Sequence, residues 1–246
     1  MRVEPNHRAA VCQYRRMPWP EFGSLFGSMQ RRIDWARARF DATLPLLDCG
    51  SGTGDGVVTL AESLPTSRII AVEPDPQMRT VLMHQVVTTP GLGERVTVWP
   101  TILDRTPIQG PLGGVVATGF LYFLSPDQRA EAWRLFARHV TVGSGVVFED
   151  GSAPDPPTDE PDQLLQTRQL GELRYERWFS QRPVGDGTVS FTNTFRVFDG
   201  KCLVLEDIAH CRSWPLTTAQ TALECCATSA FDVEELNDGY MITRHR

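Results

Sequence analysis

Short apolar runs alternate with amphipathic stretches between residues 44 and 150, and this alternation restricts the possible folds more than any other feature of the chain. The apolar runs predict strands at residues 44–49, 68–72, 95–99, 114–117 and 145–149. The stretches at residues 55–64, 76–87 and 126–139 have the composition of helices. Strands that are apolar almost throughout and are separated by helices form a parallel sheet covered on both faces. The predicted class is therefore α/β.

The sequence pattern changes after residue 150. Residues 151–162 hold four prolines and four acidic residues, which is typical of an exposed loop. A period of two then predicts strands at residues 173–181, 188–198 and 202–212, with Asp199-Gly200 as a hairpin signal between the last two. The pattern predicts a three-stranded antiparallel unit. A helix at residues 217–229 and a closing hairpin at 231–236 and 240–244 follow it.

These changes divide the chain into predicted segments. Residues 1–43 form an N-terminal helical arm or lid and residues 44–150 form the core. Residues 151–216 form the acidic loop with the antiparallel insertion, and residues 217–246 complete the core. The insertion carries an apolar stripe of Val189, Phe191, Phe195 and Val197. We expect this stripe to pack against the core or against a second copy of the chain, which would make a homo-oligomer.

Charge and composition argue against several classes of partner. The chain of 246 residues has a formal net charge of −6, whereas binding to a nucleic-acid backbone needs clustered cations; only residues 1–40, with eight arginines, are locally basic. No run of about 18 apolar residues is present, so we expect no membrane span. Residues 1–20 lack the apolar region of a secretory signal. The six cysteines have no metal spacing, which predicts reduced thiols in the cytoplasm and no metal site.

The most informative motif is the glycine loop at residues 46–55, which follows a strand and opens a helix. Its glycines are Gly50, Gly52 and Gly54. A dinucleotide fingerprint would need its third glycine at position 55, where Asp55 instead places a negative charge that repels phosphate. The expected ligand therefore has no phosphate and presents an amine or another cation to Asp48. It presents a ribose to Glu73, an acid about 20 residues after the loop.

The loop and Glu73 resemble motif I and the following acid of class I S-adenosylmethionine-dependent methyltransferases. Glu73-Pro-Asp-Pro-Gln-Met78 is similar to the family's acid-plus-methionine stretch, and residues 118–126 and 142–145 are similar to its segments around strands four and five. The resemblance covers residues 44–150. It implies a Rossmann-like seven-stranded sheet with helices on both faces, whose last strand is antiparallel. The three-stranded insertion after strand five resembles that of bacterial small-molecule methyltransferases of natural-product pathways, including amino-sugar N-methyltransferases.

The resemblance implies S-adenosylmethionine as the cofactor and S-adenosylhomocysteine as its product. The three glycines would line the methionine portion, and Asp48 would act near its amine, directly or through water. Glu73 would bind the ribose, while Pro74 and Met78 would flank the adenine.

One position departs from the family pattern. The family usually has an acidic residue just after strand three, which receives the adenine amine, but no acid occupies that place here. Thr101 and Ile102 are the candidates, and Asp104 is an alternative if the turn is longer. Gly119, after strand four, completes the predicted cofactor-binding residues.

Three residues are candidates for catalysis: Tyr122, Tyr14 and His210. Tyr122 occupies a position where the family often has histidine, and its alternative role is an aromatic residue at the rim of the site. Tyr14 either closes over the site as part of a lid or only packs. His210, on the third inserted strand, is either a general base or a structural residue. Methyl transfer is a direct displacement, so alignment supplies much of its rate and a strong base is optional.

Phe120 and Trp178 are the predicted substrate-pocket residues. Phe120 equally suits the core, and Trp178 would suit an apolar substrate. The favoured function is a bacterial, cytoplasmic methyltransferase that modifies nitrogen or oxygen of a small molecule, as in antibiotic biosynthesis, with nitrogen slightly preferred. One alternative is an enzyme that acts on RNA or protein through the arginine-rich arm. The other is a scaffold that binds the cofactor without catalysis.

Overall fold

The computed structural model describes residues 39–149, 157–185, 187–235 and 240–245. They belong to two compact units, one made of residues 39–149 with 216–245 and the other of residues 157–215. Within the described residues the strands are β1 (Leu46–Cys49), β2 (Ile69–Val72), β3 (Val96–Trp99), β4 (Gly114–Ala117), β5 (Val146–Glu149), β6 (Glu160–Leu170), β7 (Leu173–Pro183), β8 (Val189–Asp199), β9 (Cys202–Ser213), β10 (Phe231–Glu235) and β11 (Tyr240–His245). The α-helices there are α1 (Asp55–Ser63), α2 (Pro76–Thr88), α3 (Pro126–His139) and α4 (Thr218–Cys226).

The first unit is built on a seven-stranded sheet with the order β10-β11-β5-β4-β1-β2-β3. β1 to β5 are parallel, and β11 is antiparallel to both β5 and β10. β1 lies between β2 and β4, so the chain leaves β1 toward one side of the sheet and later returns on the other side. In open α/β sheets a ligand binds at this reversal, beyond the carboxyl ends of the strands. The sheet therefore places the loop after β1 at the expected ligand position.

Helices cover both faces of this sheet, as predicted. α1 and α2 contribute Val57, Leu60 and Leu82 to one apolar cluster. α3 and α4 contribute Trp133 and Cys225 to the other. Apolar neighbours along β1, β2, β4 and β5 alternate between the two clusters, which is why these strands are apolar almost throughout. Among the described helices, none is both long enough and apolar enough to cross a membrane.

The second unit is an antiparallel sheet of four strands, in the order β6-β7-β8-β9. The prediction of a three-stranded insertion is therefore wrong: the sequence pattern places residues 160–162 in the acidic loop and the rest of β6 in no element. Nine of the eleven residues of β6 are exposed. A strand that lies at the edge of a sheet and buries neither face has no apolar alternation, so its sequence lacks the signal by which strands are predicted.

Candidate active site

The glycine loop turns sharply between β1 and α1. Gly50, Gly52 and Gly54 all have positive φ, at 70°, 55° and 98°, a region that favours glycine because it has no Cβ. At Gly54 a Cβ would also lie 2.8 Å from Cδ1 of Leu82 on α2. The backbone N–H groups of Gly50 and Ser51 donate to the carbonyl oxygen of Val72 at 2.9 and 3.0 Å. The loop is thereby tied to the end of β2.

Glu73 connects directly to this loop. Its Oε2 accepts a hydrogen bond from the Gly52 N–H at 2.8 Å, and its Oε1 accepts one from the Asp75 N–H at 2.7 Å. Burial raises the pKa of Glu73 to about 7, against the opposing effect of these two N–H donors. A carboxylate offers about four lone-pair sites. Glu73 therefore retains acceptor capacity for the hydroxyl groups of a ligand held beside Gly52.

Asp48 lies beneath the loop as the third residue of β1. It is 3% exposed, and burial raises its pKa to about 6. Its Oδ2 has no hydrogen-bond partner among the described residues. A buried carboxylate oxygen without a donor is costly, and a cationic group at this place would satisfy it.

Three residues that sequence reasoning did not select hold the loop and the start of α2 in place. Asp75 caps α2, with its Oδ1 accepting from the N–H groups of Gln77 and Met78 at 2.8 and 2.9 Å. Arg79 donates from Nη1 to the carbonyl oxygens of residues 73 and 74 at 2.9 and 3.0 Å. Gln85 donates from Nε2 to the carbonyl oxygen of residue 53 at 2.9 Å and to Oδ1 of residue 55 at 3.0 Å.

Of these three roles, only the cap had a signal in the sequence. The pair Asp75-Pro76 is a typical start of a helix, with the acid at the N-cap and proline in the first turn. The bonds made by Arg79 and Gln85 depend on tertiary structure.

The predicted adenine-flanking residues come from the ends of β2 and β3. Pro74 follows β2 and Met78 lies in the first turn of α2, and both are half-buried. Thr101 and Ile102 follow β3 and are also half-buried. Because β2 and β3 are adjacent and parallel, all four lie at the edge of the sheet where Glu73 lies. Asp104 is exposed and belongs to a separate 3₁₀ turn at Leu103–Arg105.

The segment after β4 lies against the glycine loop. A Cβ at Gly50 would be 3.5 Å from Cδ2 of Phe120, so the ring of Phe120 covers this glycine. Gly119 precedes it with a φ of 66°. Tyr122 lies in the 3₁₀ turn Leu121–Phe123, and its half-buried ring is 4.5 Å from that of Phe123 between centroids. Phe120, Gly119 and Tyr122 therefore share the edge of the sheet with Asp48 and Glu73.

Two further predicted site residues, Trp178 and His210, lie in the second unit. Trp178 lies on β7 of the second unit, where its Nε1 donates to Oε2 of Glu176 at 2.8 Å and Cζ of Arg196 lies 4.8 Å from its ring centroid. His210 lies on β9, is exposed, and has its Nδ1 3.0 Å from Oγ1 of Thr192. Register places Trp178 and His210 opposite Thr194 and Thr192 of β8, so both project from one face of that sheet. Tyr14 lies outside the described residues.

No protein-family model matches the chain, and no curated protein matches it either. Among solved structures, the sugar N-methyltransferase KedS8 from Streptoalloteichus sp. is similar, with 20% identity over 94% of this chain and 93% of that one and a TM-score of 0.67. The amino pentose methyltransferase CalS10 from Micromonospora echinaspora, solved with S-adenosylmethionine bound, has 16% identity over 100% and 99% and a TM-score of 0.67. The CcbJ methyltransferase from Streptomyces caelestis has 15% identity over 95% and 97% and a TM-score of 0.74.

The chain has the fold of these methyltransferases. The similarity extends over nearly the whole length of each structure, so it includes the insertion as well as the core. The resemblance inferred from the glycine loop and Glu73 is confirmed at the level of the fold.

The residues present fit the cofactor that this methyltransferase fold implies. The unpartnered Oδ2 of Asp48 suits an ammonium group, and Glu73 has acceptor capacity for hydroxyl groups. Asp55, in the first turn of α1, accepts from Oγ1 of Thr53 at 3.2 Å and keeps a negative charge where a pyrophosphate would otherwise bind. These three carboxylates therefore favour a ligand that is a cationic nucleoside without phosphate.

Proposed function

We propose that this chain is an S-adenosylmethionine-dependent methyltransferase that acts on nitrogen or oxygen of a small molecule. The observation that carries the proposal is the buried Asp48, one oxygen of which has no partner in the described part of the chain. It lies under a loop of three positive-φ glycines that Glu73 ties to the end of β2. This arrangement combines an acceptor for an amine, backbone open to close approach, and an acceptor for ribose hydroxyls. A phosphate-bearing nucleotide would meet Asp55 instead.

Nitrogen is the preferred acceptor atom. KedS8 is a sugar N-methyltransferase, MtfA is a glycopeptide N-methyltransferase and CalS10 takes part in calicheamicin biosynthesis. These similarities support a role in bacterial secondary metabolism, carried out in the cytoplasm. The proposal includes a homo-oligomer formed through the insertion, since β9 is an edge strand that exposes Leu203, Val204 and Ile208.

In the reaction, the chain contributes position more than proton transfer. S-adenosylmethionine supplies a methyl group on a positively charged sulfur. The lone pair of the acceptor forms the new bond to carbon while the carbon–sulfur bond breaks, and the acceptor proton leaves to a base or to water. Asp48 fixes the methionine end of the cofactor and Glu73 its ribose, and Phe120 and Tyr122 line the side from which the acceptor approaches. Tyr14 and His210 are the further candidates for contact with the acceptor.

Calorimetry with S-adenosylhomocysteine tests the cofactor site. The wild-type chain should bind it, Gly52→Arg should abolish binding by filling the loop, and Glu73→Ala should weaken it at least about 100-fold through loss of the ribose acceptors. Glu62→Gln, an exposed change on α1, is the matched control and should bind as the wild type does. Unchanged affinity in both site variants would disprove the assignment of the cofactor.

Transfer of a tritiated methyl group tests the class of acceptor. Label should pass from S-adenosylmethionine to small molecules of an actinobacterial metabolite extract, and Gly52→Arg should stop it. Total RNA and total protein from the same cells serve as competing acceptors. Preferential labelling of either macromolecule would replace the small-molecule proposal with its alternative, and binding without any transfer would favour the scaffold.

A further inference from the structure

An ion pair between Arg129 and Glu224 joins α3 to α4 beside the 3₁₀ turn that carries Tyr122, and the side chain of Glu224 is 24% exposed. Arg129 is only 4% exposed. Its Nε donates to both carboxylate oxygens of Glu224, at 3.0 and 2.8 Å, and its Nη2 donates to Oε1 at 2.7 Å. Such a pair is weak evidence for a role in stability alone, because apolar residues of similar volume often stabilise a protein as much or more. Its position therefore needs another explanation.

The same guanidinium also holds the acceptor-side turn. Nη1 of Arg129 donates to the carbonyl oxygen of Leu124 at 2.8 Å, and Leu124 is the residue that ends the 3₁₀ turn. At the other end of the turn, Leu121 is buried in the apolar cluster that contains Cys225 of α4. The turn is thus fixed at Leu121 and at Leu124. The half-buried Tyr122 lies between these two residues in sequence, and the half-buried Phe120 directly precedes them.

The chemistry of arginine is required for this double contact. Glu224 occupies the Nε side of the planar guanidinium, and this leaves Nη1 directed at the turn. An ammonium group is a point charge on a flexible stem and does not reproduce such a fork. Glu224 keeps one side of the guanidinium in place, so its carboxylate determines where Nη1 points.

We propose that Arg129 and Glu224 are positioning residues for methyl transfer, which set the Phe120–Tyr122 segment against the glycine loop without touching cofactor or acceptor. The inference rests on the proposed function, because it assigns that segment to the acceptor side. The pair thereby couples α4, a helix remote in sequence, to the acceptor side of the site. Its loss should therefore affect use of the acceptor and leave the binding of S-adenosylhomocysteine unchanged.

The test compares Arg129→Lys and Glu224→Gln with Glu131→Gln, which breaks an exposed ion pair to Arg134 on the same helix α3. Initial rates of tritium transfer are measured over a dilution series of the metabolite extract, and S-adenosylhomocysteine affinity is measured by calorimetry. We expect Arg129→Lys to slow transfer about tenfold or more, Glu224→Gln to slow it less, and Glu131→Gln to leave it unchanged. All three should bind S-adenosylhomocysteine as the wild type does.

Hydrogen exchange gives a second readout that needs no activity. Amides of residues 120–124 should exchange faster in Arg129→Lys and Glu224→Gln, while amides of the glycine loop and all amides of Glu131→Gln keep wild-type rates. If both variants transfer label normally and exchange normally in the turn, the inference is overturned. If the wild type itself neither binds S-adenosylhomocysteine nor transfers label, the proposed function fails. Even in that case, faster exchange confined to the turn in Arg129→Lys and Glu224→Gln would support the coupling between α4 and the turn. Unchanged exchange in both variants would overturn that coupling.

Discussion

The strands of the two units differ in how much of their length is buried. In the first unit β1 and β4 are four residues long and buried throughout, because helices cover both faces of the sheet. In the second unit the strands have 11 or 12 residues, and the edge strand β9 exposes seven consecutive residues from Cys202 to Ile208. Only the inner strand β8 buries a continuous stripe there. Burial on two faces constrains every position of a strand, whereas an edge strand leaves most positions free to vary.

Removal of one aromatic ring from each unit gives the largest expected effect. Phe148 on β5 and Phe195 on β8 are both fully buried. Phe148→Ala and Phe195→Ala should each lower the free energy of unfolding by about 3–5 kcal/mol. Hydrogen exchange should show lost protection in β1, β4 and β5 for the first variant and in β7, β8 and β9 for the second. Identical patterns in both variants would mean that the two units unfold as one and would break the comparison.

Acidity should affect ligand binding at the first unit. Glu73, with a pKa of about 7, and Asp48, with one of about 6, should hold a ribose and an amine most strongly when ionised, because hydrogen bonds to a carboxylate are stronger than those to a neutral carboxyl group. Affinity for S-adenosylhomocysteine should therefore fall by up to about 30-fold between about pH 8 and pH 5.5 from Glu73 alone. Calorimetry across this range measures it. Glu73→Gln should bind weakly with a flatter pH dependence, and a flat wild-type profile would contradict the prediction.

The stability of the unliganded chain should depend on pH in the opposite direction. Both folded pKa values lie above the ordinary values of 3.8 and 4.5. The stabilising contribution of the protonated acids is complete below about pH 4 and is lost as the pH rises through about 6 and 7. Thermal unfolding of the chain without ligand, over the same pH range, measures this change in stability.

A matched pair of glycines gives the smallest effect and the sharpest contrast. Gly52 in the loop and Gly200 in the hairpin between β8 and β9 both have a φ of 55°, and a Cβ at either meets no atom closer than 3.9 Å. Gly52→Ala and Gly200→Ala should therefore cost the same, about 1–2 kcal/mol of left-handed strain, in urea unfolding. Only Gly52→Ala should weaken S-adenosylhomocysteine binding. Equal affinities would remove the loop from the ligand site.

Local sequence predicted most of the first unit and little of the contacts that make its site. The helix expected at residues 126–139 is Pro126–His139 in the structure, because Ser125 caps it and proline begins it. The hydrogen bond from the Gly52 N–H to Glu73 joins residues 21 apart and depends on the register of β1 with β2. Arg129 likewise meets a partner 95 residues away. Periodicity predicts which face of an element is buried, but it contains no information about such distant pairings.

In the insertion, the sequence pattern predicts the buried strand β8 but not the exposed strand β6. The stripe of Val189, Phe191, Phe195 and Val197 is buried as its alternation predicts. β6 was missed because its exposed, polar sequence resembles a loop. The roles of Tyr14, Tyr122, His210 and Trp178 in the reaction stay predictions, since they depend on an acceptor that the sequence does not specify.

The position of β11 has a consequence for biosynthesis. β11 lies between β5 and β10, yet its residues 240–245 are made about 90 residues after β5. At roughly 5–20 residues per second, a ribosome needs about 5–18 s to span this interval. Until then Val147 and Phe148 lack β11 as a neighbouring strand, although the whole insertion has already been synthesised. A nascent chain therefore contains all four strands of the antiparallel sheet before it contains all seven strands of the sheet that began first.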